Sequence, residues 1–126
     1  MNQYITVTII IVLIAGFFFV KKYIMTDVQD YDAVNAIKNG ALIIDVRTKD
    51  EFDRGAVPTA ANIHYSHIAQ YIKELAPNQD QPILLYCQMG PRARIAQKTL
   101  TNMGYTQVKS LGSLAKAQKV YRAAQK

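Results

Sequence analysis

Cysteine is nearly missing from this chain: Cys87 is the only one in 126 residues. No internal disulfide can form, and cysteine usage leaves the compartment open. Tryptophan is absent. Acidic residues stop early. All nine lie between Asp27 and Asp80, and only Lys and Arg carry charge after that, so the net charge of +6 is unevenly spread. An ordinary solvated basic face is one reading. Attraction for a small anionic substrate or for acidic lipid headgroups is the other. No interleaved aromatic and basic motif is present, so nucleic acid is not an expected partner. His64 and His67 stand at H-x-x-H spacing, but no cysteine or carboxylate completes a metal set, and they read as surface or half-buried histidines. Neither a metal nor a cofactor is expected. No internal repeat, low-complexity tract or second domain is visible.

Charge is also missing from Ile5 to Val20, ITVTIIIVLIAGFFFV. As a helix, Tyr4 to Tyr23 spans about 30 Å, the thickness of a bilayer's hydrocarbon core. Tyr4 and Tyr23 sit where interfacial aromatics belong, and Lys21 and Lys22 can snorkel to headgroups. The residues before the run hold no Lys or Arg, and no A-x-A pattern follows it, which argues against a cleaved signal peptide. The run lacks a polar face and carries Phe17-Phe18-Phe19, which argues against a buried core helix. The expectation is a single-pass anchor over residues 4–23, with the lipid bilayer as partner. Lysines follow the span and none precedes it, which puts the domain over residues 26–126 in the cytoplasm. The periplasmic or extracellular side is the alternative.

Beyond the span, apolar runs alternate with helical patterns. Asp27 or Asp30 can cap a helix running to about Asn39, with Gly40 beyond its end. Ala41 to Val46 reads as a buried parallel strand. Lys49 to Arg54 is a brief helical turn stopped by Gly55. A short strand is expected near Ala61 to His64, then a helix from a Ser66 cap to Leu75 with Ile68, Ile72 and Leu75 on one face. Ile83 to Tyr86 is the second strong strand, Arg92 to Met103 a helix, Thr106 to Lys109 a weak strand. Ser113 caps a last helix with Leu114, Ala117, Tyr121 and Ala124 in a stripe. This alternation predicts an α/β domain around a mostly parallel sheet.

Cys87 falls at the carboxyl end of a predicted strand, where parallel sheets place their ligands. A helix begins about five residues later, so its free N–H groups and positive dipole end face the thiol. Gly90 permits a φ that other residues resist, and successive inward amides make an anion-binding nest. Arg92 adds a permanent charge. These features favour a reactive thiolate held beside an anion; a buried structural cysteine is the bland alternative.

Two motifs here resemble the rhodanese, or thiosulfate sulfurtransferase, family. The stretch Leu42-Ile43-Ile44-Asp45-Val46-Arg47 through Glu51-Phe52 to Gly55, then Val57-Pro58 and Ala61-Asn62-Ile63, is similar to the family's "IDVR…EF" signature. Leu85-Tyr86-Cys87-Gln88-Met89-Gly90-Pro91-Arg92 is similar to its C-x-x-G-x-R loop, and Gly104-Tyr105 to Val108 to its "GY..V". The resemblance implies a three-layer α/β fold with a central parallel sheet. It implies ping-pong sulfur transfer: Cys87 takes a sulfane sulfur from a small anionic donor such as thiosulfate and passes it to a thiol, cyanide or a protein acceptor. Gln88, Met89, Gly90 and Arg92 would line the substrate site, with Asp45 and Arg47 as structural supports.

The loop has four residues between Cys87 and Arg92, one fewer than the C-x5-R loop of phosphatases of similar design, and so suits a sulfur atom better than a tetrahedral phosphate. Ala56 and Ala93 stand where the family often has His and Ser, and the family's Gly-Gly and Trp are missing. Pro91 has no N–H, so the loop loses a donor of about 1 kcal/mol, although proline suits a first helical position. The expected consequence is low sulfurtransferase activity. The competing reading is a non-catalytic module that recruits a partner at the membrane.

Overall fold

The computed structural model describes residues 2–24 and 27–126. The first helix is α1 (Asn2–Ile24), and its Asn2–Val20 stretch is long and apolar enough to cross a membrane. None of that stretch is buried against the domain that follows. The headgroup contacts expected of Lys21, Lys22 and Tyr23 lie outside the described side chains, and the junction at 25–26 lies outside the described residues.

The domain runs α2 (Asp30–Lys38), β1 (Leu42–Asp45), α3 (Lys49–Arg54), β2 (Ala61–Asn62), a 3-10 turn (Tyr65–His67), α4 (Ile68–Leu75), β3 (Ile83–Cys87), α5 (Pro91–Asn102), β4 (Val108–Ser113) and α6 (Leu114–Ala124). The strands form one parallel sheet in the order β2-β1-β3-β4. Side chains alternate between the two faces of a strand, and the core divides accordingly. Ile44, Val46, Ile83, Leu85 and Cys87 pack with Ile68 and Ile72 of α4 and with Ala93, Ala96 and Leu100 of α5. Ile43, Leu84 and Tyr86 pack on the opposite side with Ala33 of α2 and with Ala117 and Val120 of α6. The result is a three-layer α/β fold: the alternation of elements predicts its parallel sheet, and the family resemblance implies its helices on both sides. β3 has a strand on each side and a helix layer on each face, so all five of its residues are buried. This is why it reads as a continuous apolar run rather than an alternating one.

Local departures from the predicted elements have physical causes. β4 starts at Val108 and reaches Ser113, later than the Thr106–Lys109 expected. Its register with β3 shifts between Leu85 and Tyr86, so Gly112, at φ 84°, pairs with Tyr86. Neither Asp27 nor Asp30 caps α2; Gln29 holds that position without a side-chain bond. Asp30 lies in the first turn and binds Lys119 at 2.9 Å, with Lys116 at 3.8 Å. Ser66 sits inside the 3-10 turn, where its N–H donates to His64 Nδ1, and α4 begins after it. Leu75 is exposed, and Ala76 fills the buried position instead. In α6 the buried residues are Ala117 and Val120. The separation of acidic and basic residues along the sequence is also resolved in space: Arg94 meets Asp27, Arg92 meets Glu51, and Lys116 and Lys119 meet Asp30.

Replacing Leu85 by Ala at the centre of β3 removes buried methyls with little room to collapse. Urea unfolding of the variant is expected to show a loss of about 3 kcal/mol with an unchanged denaturant slope.

Candidate active site at the end of the central strand

Cys87 ends β3 and is 1 % exposed. Gly90, three residues on, turns its N–H back onto the sulfur, with N to Sγ 2.9 Å. That turn needs Gly90 at φ 122°, a conformation L side chains resist. A Cβ there would also stand 3.1 Å from Arg94 Nη2. Gly90 is the N-cap of α5 and Pro91 its first helical residue, where a missing N–H costs no intrahelical bond. The first turn of α5, with its unpaired amides and positive dipole end, therefore opens beside the sulfur. Gln88 and Met89 form the exposed rim, Met89 at 77 %. The loop is pinned from the far side: Leu114 N–H donates to the Gln88 carbonyl at 3.3 Å, and Met89 bridges to Ser113.

Beneath the rim lies a buried charged hub. Asp45 and Arg47 are 0 % and 2 % exposed. The Arg47 guanidinium meets the Asp45 carboxylate through Nε, at 3.0 Å to each oxygen, and through Nη2 at 2.6 Å. Its remaining donors reach the Gly55 carbonyl at 2.7 Å and Gln88 Oε1 at 3.0 Å. It also lies over the Tyr86 ring, 5.8 Å from its centre. Tyr86 accepts from Val57 N–H at 3.0 Å, and burial pushes its phenol above the ordinary value, so it stays neutral. Asn62 donates to the Asp45 and Arg47 carbonyls and ties in β2. One guanidinium thus joins the end of β1, the exit of α3 and the first loop residue after Cys87.

Arg92 is not the free anion clamp its charge suggests. Its two terminal nitrogens grip both oxygens of Glu51, at 2.7 and 2.9 Å. Glu51 also closes a reciprocal cap with Thr48 at the start of α3. The Arg92 contact, opposed by burial and aided by Thr48, holds the Glu51 carboxyl down to about 2. Arg92 is raised in turn, mainly by Glu51, with a smaller attraction from Cys87. The pair fixes the start of α5 against the start of α3. A surface groove of about 390 Å³ runs beside it, lined by Arg47, Glu51, Arg54, Gly55, Gln88 and Gln118 among others.

The residues at 30–118 match the family model described as the Rhodanese-like domain. This chain belongs to the rhodanese family. It is similar to a thiosulfate sulfurtransferase of Escherichia coli, 31 % identical over 71 residues that cover 56 % of this chain and 68 % of that one. It is also similar to an adenylyltransferase and sulfurtransferase of Candida albicans, 31 % identical over 90 residues, 66 % of this chain and 20 % of the relative. The chain thus spans about a fifth of that larger protein's length. Among solved structures, a rhodanese with anions from E. coli superposes with a TM-score of 0.60 at 28 % identity, covering 61 % of this chain and 91 % of that one. Rhodanese membership and these relatives support a sulfurtransferase-type function.

Within this rhodanese site, Cys87, Gln88, Met89, Gly90 and Arg92 share one loop and helix start, with Asp45 and Arg47 directly below. Glu51 and Tyr86 fall within the two sequence motifs, but the sequence assigns neither a role at the site. The T-x-x-E spacing of Thr48 and Glu51 signals a helix cap, but nothing in it points to Arg92, 41 residues away. His64 and His67 lie apart, with rings 5.8 Å between centres, in a second groove, and His64 Nδ1 bonds Ser66 Oγ at 2.6 Å. Among the described residues no cluster of three metal-ligating side chains occurs.

The Glu51–Arg92 pair sets a pH dependence. Unfolded, Glu51 protonates near 4.5; folded, it stays ionised to about 2. Its stabilisation is therefore complete above 4.5 and drains away as pH falls toward 2. Glu51→Gln is expected to cost about 1 kcal/mol at pH 7, and urea titrations should show that deficit closing below pH 4.

Proposed function

We propose that this chain is a membrane-anchored, single-domain sulfurtransferase that carries sulfur as a persulfide on Cys87, with residues 4–23 as anchor and 26–126 as the rhodanese-like domain in the cytoplasm. The observation that carries the proposal is the Gly90 amide aimed at Cys87 Sγ from 2.9 Å, at the start of a helix that favours negative charge.

In the first half-reaction the Cys87 thiolate attacks the outer sulfur of thiosulfate or a similar anionic donor. A bond forms from Sγ to that sulfur, the donor's S–S bond breaks, and sulfite leaves with the bonding pair. The Gly90 amide and the first-turn amides of α5 stabilise the charge on the new terminal sulfur. In the second half-reaction an acceptor thiolate, cyanide or a protein thiol attacks the terminal sulfur, and Cys87 departs as thiolate. Electrons balance without an added oxidant or reductant. Gln88 and Met89 flank the approach. Arg92, held by Glu51, fixes the start of α5 beside the loop. Asp45 and Arg47 keep the loop in place.

A second reading has its own observation. Cys87 is 1 % exposed and packs with Ile44, Val46 and Ala93, which suits a binding module that keeps the fold without the chemistry. Intact mass measurement after incubation with thiosulfate separates the two. The sulfurtransferase reading expects one added sulfur atom, lost in Cys87→Ala. No adduct with any of several donors, together with full cellular function of Cys87→Ala, supports the binding module. Pro91→Ala restores a donor at the helix start, worth about 1 kcal/mol. Stopped-flow persulfide formation in that variant is expected to be several-fold faster than in the parent chain.

A further inference from the structure

The first described residues after α1 are built into the active-site end of the sheet. Val28 N–H donates to the Ser110 carbonyl at 2.9 Å, and Lys116 Nζ donates to the Val28 carbonyl. Asp30, which opens α2, binds Lys116 and Lys119 in the first turns of α6. α6 starts where β4 ends, and the last residue of β4, Ser113, is in register with Cys87. The chain therefore enters the domain at the carboxyl end of the strands. Asp27 carries this further. Its Oδ2 lies 2.6 Å from where a Cβ on Gly112 would stand, and it accepts from Arg94 Nη2 at 3.4 Å. The same Arg94 nitrogen lies 3.1 Å from the Cβ position of Gly90, whose amide bonds the Cys87 sulfur. Arg94 thus bridges the Asp27 carboxylate and the cysteine loop.

The distance back to the apolar span is short. Three Cα steps from Ile24 to Asp27 reach at most about 11 Å. From Val20, the last residue of the charge-free run, α1 rises about 6 Å to Ile24, which the headgroup layer of one leaflet roughly matches. A domain tethered so closely by its active-site end cannot present that end far from the membrane. We infer that the loop carrying Cys87 is held against the lipid headgroup layer, with Met89 as its lipid-facing tip. Met89 is the most exposed apolar side chain of the domain together with Tyr31, and an unbranched thioether suits such an interface. The reaction partners this placement favours are those that reach Cys87 along the membrane surface. The inference rests on α1 acting as a membrane anchor.

The full chain, reconstituted in phosphatidylcholine–phosphatidylglycerol vesicles with a headgroup-attached quencher in both leaflets, tests it. Two variants carry a fluorophore on a new cysteine in the Cys87→Ala background. One is Met89→Cys. The other is Pro77→Cys, exposed in the loop before β3 at the opposite end of the sheet. The Met89→Cys label is expected to be quenched several-fold more than the Pro77→Cys label. Retention of the chain in the bilayer after alkaline extraction, with equal quenching at both positions or stronger quenching at Pro77→Cys, overturns the inference and leaves the anchor standing. Loss of the chain from the bilayer on alkaline extraction overturns both.

Discussion

A guanidinium that is almost wholly withdrawn from water must find partners on every side or the fold pays heavily for it. Arg47 finds them. Asp45 neutralises it, the Gly55 carbonyl and Gln88 Oε1 take its outer donors, and the face of Tyr86 lies beneath it. Each partner belongs to a different segment, so satisfying this one cation fixes β1, the exit of α3, β3 and the first residue after Cys87 relative to one another. The cysteine loop is short and exposed at its rim, and a loop of that kind moves unless its ends are held. Here the hub holds one end, and the Glu51–Arg92 pair holds the other.

The two ion pairs differ in kind. Asp45–Arg47 is buried, so its value lies in geometry more than in net stability. Glu51–Arg92 is half-exposed and bidentate, which makes it directional. It takes up the charge that would otherwise be free to clamp an anion, leaving the Gly90 amide, at the start of α5, as the donor that reaches the sulfur. On the proposed sulfur-transfer reading, selection for a single sulfur atom over a bulkier anion rests on loop length and amide geometry, without a free guanidinium.

Much of this was legible in the sequence. The β3 run ILLYC announced a strand buried on both faces, and the alternation of runs announced the parallel sheet. The cysteine at a strand end, followed by Gly90 and a helix, announced the loop. What was not legible were the contacts made across long separations. Glu51 could be read as a helix cap but not as the partner of Arg92. Tyr86 could be read as core but not as an acceptor for Val57 N–H. The true extent of β4 was hidden because Lys109, Ser110, Gly112 and Ser113 have little intrinsic strand preference; pairing with β3 overrides it. The acid-free stretch after Asp80 suggested a basic surface, but folding brings half of its cations against the acids of the earlier half.

The central claim is that the sulfur of Cys87 faces the concave side of this loop and accepts from its amides. The most direct measurement is a sulfur-anomalous difference map from crystals of the domain soaked in thiosulfate. The account predicts a second sulfur bonded to Cys87 Sγ, lying inside the loop within hydrogen-bond reach of the Gly90 amide. A map with no second sulfur, and with the Cys87 side chain turned into the core beside Ile44 and Val46 and away from Gly90, would contradict it.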